Sequence, residues 1–243
     1  MTRHGRALLF GLGLASAPML ACDSDPAEKK TLTYTGRILD ALDSNPIAGV
    51  EVCITSPANI PCVTTDASGL YTLTGIPAQT RVTATVTKAP TYFPVHAAFI
   101  TRDSDFNIDA VLLQTGLVEL AFQAAGITVD TAKGAILVRA YDPAAGFNST
   151  VAGLSGEIDP DAGDGPIYNS ADSIPTTATE TSESGTWAVV NLDAGTYQVR
   201  TTGDNRNCPG TFHWPGDNGA GWIETPVLAG HVTYVYVDCP TVM

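Results

Sequence analysis

From Thr31 onward the chain sets apolar residues at alternate positions in short runs: Leu32-Thr33-Tyr34-Thr35, Val50-Glu51-Val52-Cys53-Ile54, Tyr71-Thr72-Leu73 and Val82-Thr83-Ala84-Thr85-Val86. Period two sends successive side chains to opposite faces, and turn residues cut each run off, so the pattern predicts a β-sandwich or barrel. The phrase from Thr65 to Thr80 returns 116 residues later as Thr181 to Thr196, aligning Gly69 with Gly185 and Tyr71 with Trp187. In each copy a polar turn ends at a glycine, whose missing Cβ permits positive φ, and a strand follows with an aromatic and an aliphatic residue on one face. A repeat of that length implies two related modules in tandem.

Lys and Arg number 12 against 25 Asp and Glu, a net charge of −13, with no basic cluster beyond Lys29-Lys30. Such a chain has no electrostatic source for phosphate neutralisation, which excludes nucleic acid as a partner.

The first 21 residues read as a leader. Arg3, His4 and Arg6 precede the apolar stretch Ala7 to Ala15, which is too short to span a bilayer stably. A cut after Ala17 would leave Pro18 at the mature terminus, a poor protease substrate. Met19-Leu20-Ala21-Cys22 instead resembles the lipobox of bacterial lipoproteins, in which Cys22 carries the acyl chains. That resemblance implies a partner, the membrane, reached through lipid on Cys22. Two or three buried chains anchor a protein essentially permanently. Residues 22–30 then form the lipidated cysteine and a polar tether, and the location is the exported side of a bacterial envelope membrane, inner or outer.

Assigning Cys22 to lipid leaves four cysteines. A hairpin centred between Pro57 and Ala58 sets Cys53 opposite Cys62, and Cys208 and Cys239 form the remaining pair. No two His or Cys have zinc-ligand spacing, so disulfides in an oxidising compartment are expected.

Gly36-Arg37-Ile38-Leu39-Asp40, Asn45 to Val52, Thr65 to Leu73, Gly75-Ile76-Pro77-Ala78 and the closing run Asn107 to Leu112 resemble the carboxypeptidase regulatory-like domains. That family implies a seven-stranded Greek-key sandwich of transthyretin (prealbumin) type over residues 31–114, an accessory module found on enzymes, receptors and surface proteins. Gln79 stands where the family has Gly. The expected architecture is all-β: two tandem Greek-key sandwiches, 31–114 and 115–243, after the leader. In the second, Leu117 to Phe122 and Ile136 to Tyr141 are predicted strands, 153–180 a long polar insertion, and Asn205 to Trp222 an excursion stapled by Cys208–Cys239.

Catalytic signatures are absent from the sequence, and His4, His96, His213 and His231 stand isolated, so no enzyme activity and no cofactor are expected. His96 reads as a surface or hydrogen-bonded strand residue, not a base. Asp159, Asp161 and Asp164 lie in a Pro/Gly loop where short carboxylates suit Ca²⁺, although their spacing is not that of a calcium loop. Asp103, Asp105, Asn107 and Asp109 alternate, which in a strand places them on one face, either as cation ligands or as a charged edge that discourages pairing. Phe212, Trp214 and Trp222 form the one dense aromatic group, with Asp217 and Asn218 beside them. Such rings suit sugar stacking, with the two polar side chains on hydroxyls; the competing reading is that the tryptophans cap the core. The expected function is a non-enzymatic structural or protein-binding envelope module, with carbohydrate binding through loop 205–222 as the alternative.

Overall fold

A computed structural model of the 243-residue chain describes Lys30 to Pro240, apart from Phe147, Asp204, Asn205 and Thr211. The leader and Cys22 lie outside the described residues. The strands of the first half are β1 (Thr31–Asp40), β2 (Glu51–Ser56), β3 (Val63–Thr64), β4 (Leu70–Pro77), β5 (Arg81–Thr87), β6 (Val95–Ile100), β7 (Phe106–Asn107) and β8 (Ala110–Leu112). One helix, α1 (Thr115–Ala124), follows. The second half holds β9 (Gly134–Tyr141), β10 (Ser155–Asp159), β11 (Asp164–Asn169), β12 (Pro175–Thr176), β13 (Thr186–Leu192), β14 (Gly195–Gly203), β15 (Arg206–Asn207), β16 (Trp214–Pro215), β17 (Ile223–Val227) and β18 (Val232–Asp238).

The protein is all-β in its layers. In the first half β4-β1-β7, with β8 also on β1, faces β6-β5-β2-β3; in the second, β12-β11-β13-β9-β18 faces β10-β14-β17-β16, with β15 on β14. Between the first pair of layers lie Leu32, Ile38, Val52, Leu73, Ile76, Val82 and Leu112. Between the second lie Ile136, Val138, Trp187, Val189, Leu192, Val199 and Val237. The two sandwiches are not separate bodies on a string. Strand β18 pairs in parallel with β6 through Val232–Val95 and Thr233–His96, which fuses one layer of each into a nine-stranded sheet. Alternation along β18 then divides its side chains: Val232 and Tyr234 pack into the first core, Val235 and Val237 into the second.

The sequence repeat is a structural one. Ile38 N–H donates to Gly69 O at 2.9 Å and Ala140 N–H to Gly185 O at 2.8 Å, with φ +72° at Gly69 and +63° at Gly185. A bulge recurs too. The β1–β4 register slips between Leu32 and Tyr34 and the β9–β13 register between Val189 and Leu192, with Gly75 (φ +79°) and Asn191 (φ +60°) as the left-handed residues.

Both disulfides are present. Glu51 pairs with Thr64 and Val52 with Val63, so one more step of that register brings Cys53 to Cys62, whose Cα atoms are 4.3 Å apart. Cys208 and Cys239 are bonded with Cα atoms 4.5 Å apart, both fully buried in the second core.

Three sequence expectations require correction. Leu117 to Phe122 is not a strand but the middle of α1. The run has no alternation, and Val118, Ala121 and Phe122 fall at i, i+3 and i+4, the half-buried face; Leu, Glu, Ala and Gln favour helix. That face lies over Ala135, Leu137, Val190 and Val232, leaving an apolar cavity of about 50 Å³. Residues 153–180 are not a plain insertion, since they supply β10, β11 and β12. The acidic alternation is not one strand either, because pairing is limited to Phe106–Asn107 on β1. Asp105 Oδ1 accepts Thr33 N–H at 2.8 Å and Asp109 Oδ1 accepts Arg37 N–H at 2.7 Å, so carboxylates take over where the β1 ladder lacks a partner.

Candidate functional site

The aromatic segment is held against both sandwiches by its backbone and ring nitrogens. Ile100 N–H donates to Phe212 O at 2.7 Å and the Trp214 indole N–H to Phe99 O at 3.1 Å, fixing the segment on the end of β6. Trp214 then pairs with Glu224 and Pro215 with Ile223, after which Gly216 N–H reaches Trp222 O at 2.8 Å. A Cβ on Gly216 would lie 2.0 Å from Gln198 Oε1 and 2.9 Å from the Trp222 backbone, so a larger residue would have to displace the Gln198 amide and shift the turn. Of the two polar candidates, Asp217 offers its N–H to Gln198 Oε1 at 3.1 Å, while Asn218 donates to Asp159 Oδ2 at 2.6 Å.

Strand parity sets what faces outward. Tyr197, Val199, Ile223, Thr225 and Val227 point into the core, so Gln198, Arg200 and Glu224 point out. Glu157 pairs opposite Arg200 and Trp214 opposite Glu224. The outer face of β10-β14-β17-β16 is therefore a field of tryptophan, arginine and glutamate. Every ring of the expected group carries an arginine on one face: Arg102 over Phe212 at 4.1 Å, Arg81 over Trp214 at 5.1 Å and Arg200 over Trp222 at 4.7 Å. Arg102 also stacks on Phe106 at 4.6 Å, so its guanidinium touches two rings. Arg81 pairs with Glu224 at 3.3 Å and Arg200 with Glu157, leaving the face close to neutral. The structure thus brings Trp214 and Trp222 onto one surface, sends Phe212 toward Arg102 and the first sandwich, and reduces the ring area open to a sugar. All three rings are half-buried; the fully buried tryptophan is Trp187.

The acidic loop is spread out. Asp159 takes Asn218, Asp164 Oδ2 takes the Asn191 amide, and Asp161 is exposed. Among the described residues the one group of three ligand-type side chains that converges is Glu51 with Cys53 and Cys62, whose sulfurs are already bonded to each other. Asp159, Asp161 and Asp164 do not form a gathered ligand set.

Two histidines sit at the junction, His96 as a hydrogen-bonded strand residue and His213 in a role that the sequence did not indicate. His96, on β6, is buried and its Nδ1 lies 3.1 Å from Pro226 O. His213 is buried between β6 and β18, with Nδ1 2.8 Å from Ala98 O and Nε2 accepting Tyr236 N–H at 2.9 Å. Burial lowers the proton affinity of both rings. An isolated His in a glycine-rich stretch carries no sequence signal for such a bridge.

No family model matches the chain, so the carboxypeptidase regulatory-like resemblance rests on the residues quoted for it, and no curated protein matches either. Among solved structures, the Bacillus anthracis TIE protein superposes with a TM-score of 0.29 at 13% identity over 87% of this chain. This chain spans about a third of that protein's length, 34%. The shaft pilin of Lactobacillus rhamnosus GG gives 0.27 at 10% identity over 89% of this chain and all of the pilin, 100%. A minor pilin of Streptococcus agalactiae gives 0.27 at 15% identity over 87% of this chain and 97% of that one. Superpositions this loose carry no argument about what the protein does.

Proposed function

We propose that the chain is a non-enzymatic envelope lipoprotein, tethered through Cys22, whose fused sandwiches form a structural module that binds another protein. The observation that supports this reading is the outer face of β10-β14-β17-β16, where Trp214 and Trp222 lie among Arg81, Arg200, Glu157 and Glu224. Tryptophan and arginine are the residue types that dominate protein-interface energetics, and a near-neutral mixed face suits a partner with its own mixture of charges. Two disulfides support an oxidising location outside the cytosol.

Carbohydrate binding is the second reading, favoured by Trp214 and Trp222 sharing a face with the Asn218–Asp159 pair at its rim. Photo-crosslinking in the native envelope from position 198, at the centre of that face, tests the first. A discrete protein adduct that disappears in Trp214→Ala and Trp222→Ala supports it, and adducts that are absent or indifferent to both changes overturn it. Retention on a polysaccharide column with a shift in tryptophan emission would select the sugar reading. Intact mass of the native protein tests the anchor, which requires acyl chains on Cys22.

A further inference from the structure

The seam that joins the sandwiches is short in backbone terms. Strands β6 and β18 pair at two positions only, Val232–Val95 and Thr233–His96, with Val232 N–H also donating to Pro94 O at 2.9 Å. Past these positions the imidazole of His213 fills the gap, bonded on one side to Ala98 of β6 and on the other to Tyr236 of β18. The side chain of His213 thus extends a ladder that the backbones do not continue.

The partners dictate the ring's state. A carbonyl oxygen can only accept, so Nδ1 of His213 carries the proton; an amide N–H can only donate, so Nε2 is bare. Adding a proton to Nε2 sets N–H against N–H across 2.9 Å and leaves a charge in a buried site. His96, paired with Thr233 in the seam, shares the Nδ1 half of this arrangement. Its Nδ1 faces the Pro226 carbonyl on β17, which also accepts the Thr233 hydroxyl at 3.0 Å.

We infer that the β6–β18 seam is a proton-operated latch, in which protonation of His213, aided by His96, loosens the contact between the two sandwiches before either core gives way.

Charged and titratable groups approach both rings from several elements. From β18, Asp238 favours a charged His213, and the Tyr236 ring is stacked at 6.5 Å. From β9, Arg139 lies near enough to Tyr236 to influence its hydroxyl, and from the chain after β6 Arg102 stacks on Phe212, next to His213. Facing His96 is His231, whose positive charge would oppose a second one, while the Arg81–Glu224 pair ties β5 to β17. Burial outweighs the pull of Asp238, so His213 binds protons less readily folded than unfolded. The stabilisation is therefore complete above the unfolded value of about 6.5 and is lost as pH falls below it toward the folded value.

Hydrogen exchange on the oxidised full chain at pH 7.5 and 5.5, normalised to intrinsic rates, reads the latch. The amides of Val232 and Tyr236 are expected to lose at least tenfold in protection on acidification, while Val52 and Val138, one in each core, keep theirs. Ring nitrogen shifts of the unmodified protein should show His213 as the Nδ1–H form and titrating below 6.5. A flat Tyr236 response, loss of protection in step with Val52 and Val138, or a His213 titration at or above 6.5 overturns the inference. In His213→Gln, which carries a donor and an acceptor but no titrating group, at least half of the logarithmic loss should vanish, and an undiminished loss also overturns it. Should that variant misfold, the titration of the unmodified protein decides.

Discussion

Thr65 and Thr181 occupy equivalent places and make the same pair of buried bonds. The Thr65 hydroxyl donates to Ile47 O at 2.8 Å and accepts Val50 N–H at 2.9 Å; the Thr181 hydroxyl donates to Val151 O at 3.0 Å and accepts Leu154 N–H at 3.0 Å. Thr65 N–H also donates to Val50 O at 2.9 Å and Thr181 N–H to Leu154 O at 2.8 Å. Each threonine ties an upstream segment, 47–50 or 151–154, to the stretch of chain that leads into the strand carrying Tyr71 or Trp187, so one hydroxyl per module joins the repeat's turn to its neighbour. Replacing either by Val keeps the shape and strips the partners, leaving a buried amide N–H unpaired. Thr65→Val and Thr181→Val are each expected to cost about 1–3 kcal/mol in denaturant unfolding, and the Ser variants clearly less.

Gln79 holds φ +50° where its repeat partner is Gly195. A left-handed residue with a Cβ is strained by roughly 1–2 kcal/mol, against which glycine adds about 0.5–1 kcal/mol of chain entropy to the unfolded state. Gln79→Gly should therefore leave stability unchanged or raise it by up to about 1.5 kcal/mol, seen as a rise in Tm.

Gly156 on β10 lies against the buried indole of Trp187, and a Cβ there would meet ring atoms at 2.4, 2.5 and 2.7 Å. Gly156→Ala forces that ring or strand to move, with an expected loss of about 1–3 kcal/mol and a changed near-UV dichroism signal from Trp187.

The two disulfides differ in access. Cys62 is exposed, whereas Cys208 and Cys239 have no exposed surface. Mild reductant on the native protein should open Cys53–Cys62 first, as mass spectrometry after alkylation would record. In the loop-entropy account the short bridge contributes about 2.5–3 kcal/mol and the long one about 3.5–4 kcal/mol, so the Cys208→Ser/Cys239→Ser variant should lower Tm further than Cys53→Ser/Cys62→Ser.

Local periodicity made the strands, the repeat and the first disulfide legible, because each depends on residues near one another in the chain. Val52, Leu73 and Val82 alternate with polar neighbours, and Cys53 and Cys62 flank one hairpin. Helix α1 is short and densely apolar, so Leu117 to Phe122 resembles a buried strand by composition although it lacks alternation, and the i, i+3, i+4 spacing of Val118, Ala121 and Phe122 packed over Ala135 and Leu137 makes it a helix. Asp105 and Asp109 looked like one acidic face, yet each serves a backbone amide of β1 about 72 residues away. The arginines on the aromatic rings were equally hidden: Arg81 and Trp214 are far apart in sequence and meet only through the seam. The cysteines, Phe212, Trp214 and Trp222 could be singled out by type, but which side of each would be covered could not.

The double duty of β18 carries a consequence for how the molecule assembles. Val95 must wait for Val232, 137 positions downstream, before the first sandwich gains the side chains of Val232 and Tyr234. Loop closure over that span is slow relative to hairpin formation, so the early half passes through a period with an open flank and an unpaired β6 edge. A nascent chain halted anywhere short of β18 would offer that edge to its neighbours, and crowding or slow elongation would convert a folding delay into aggregation.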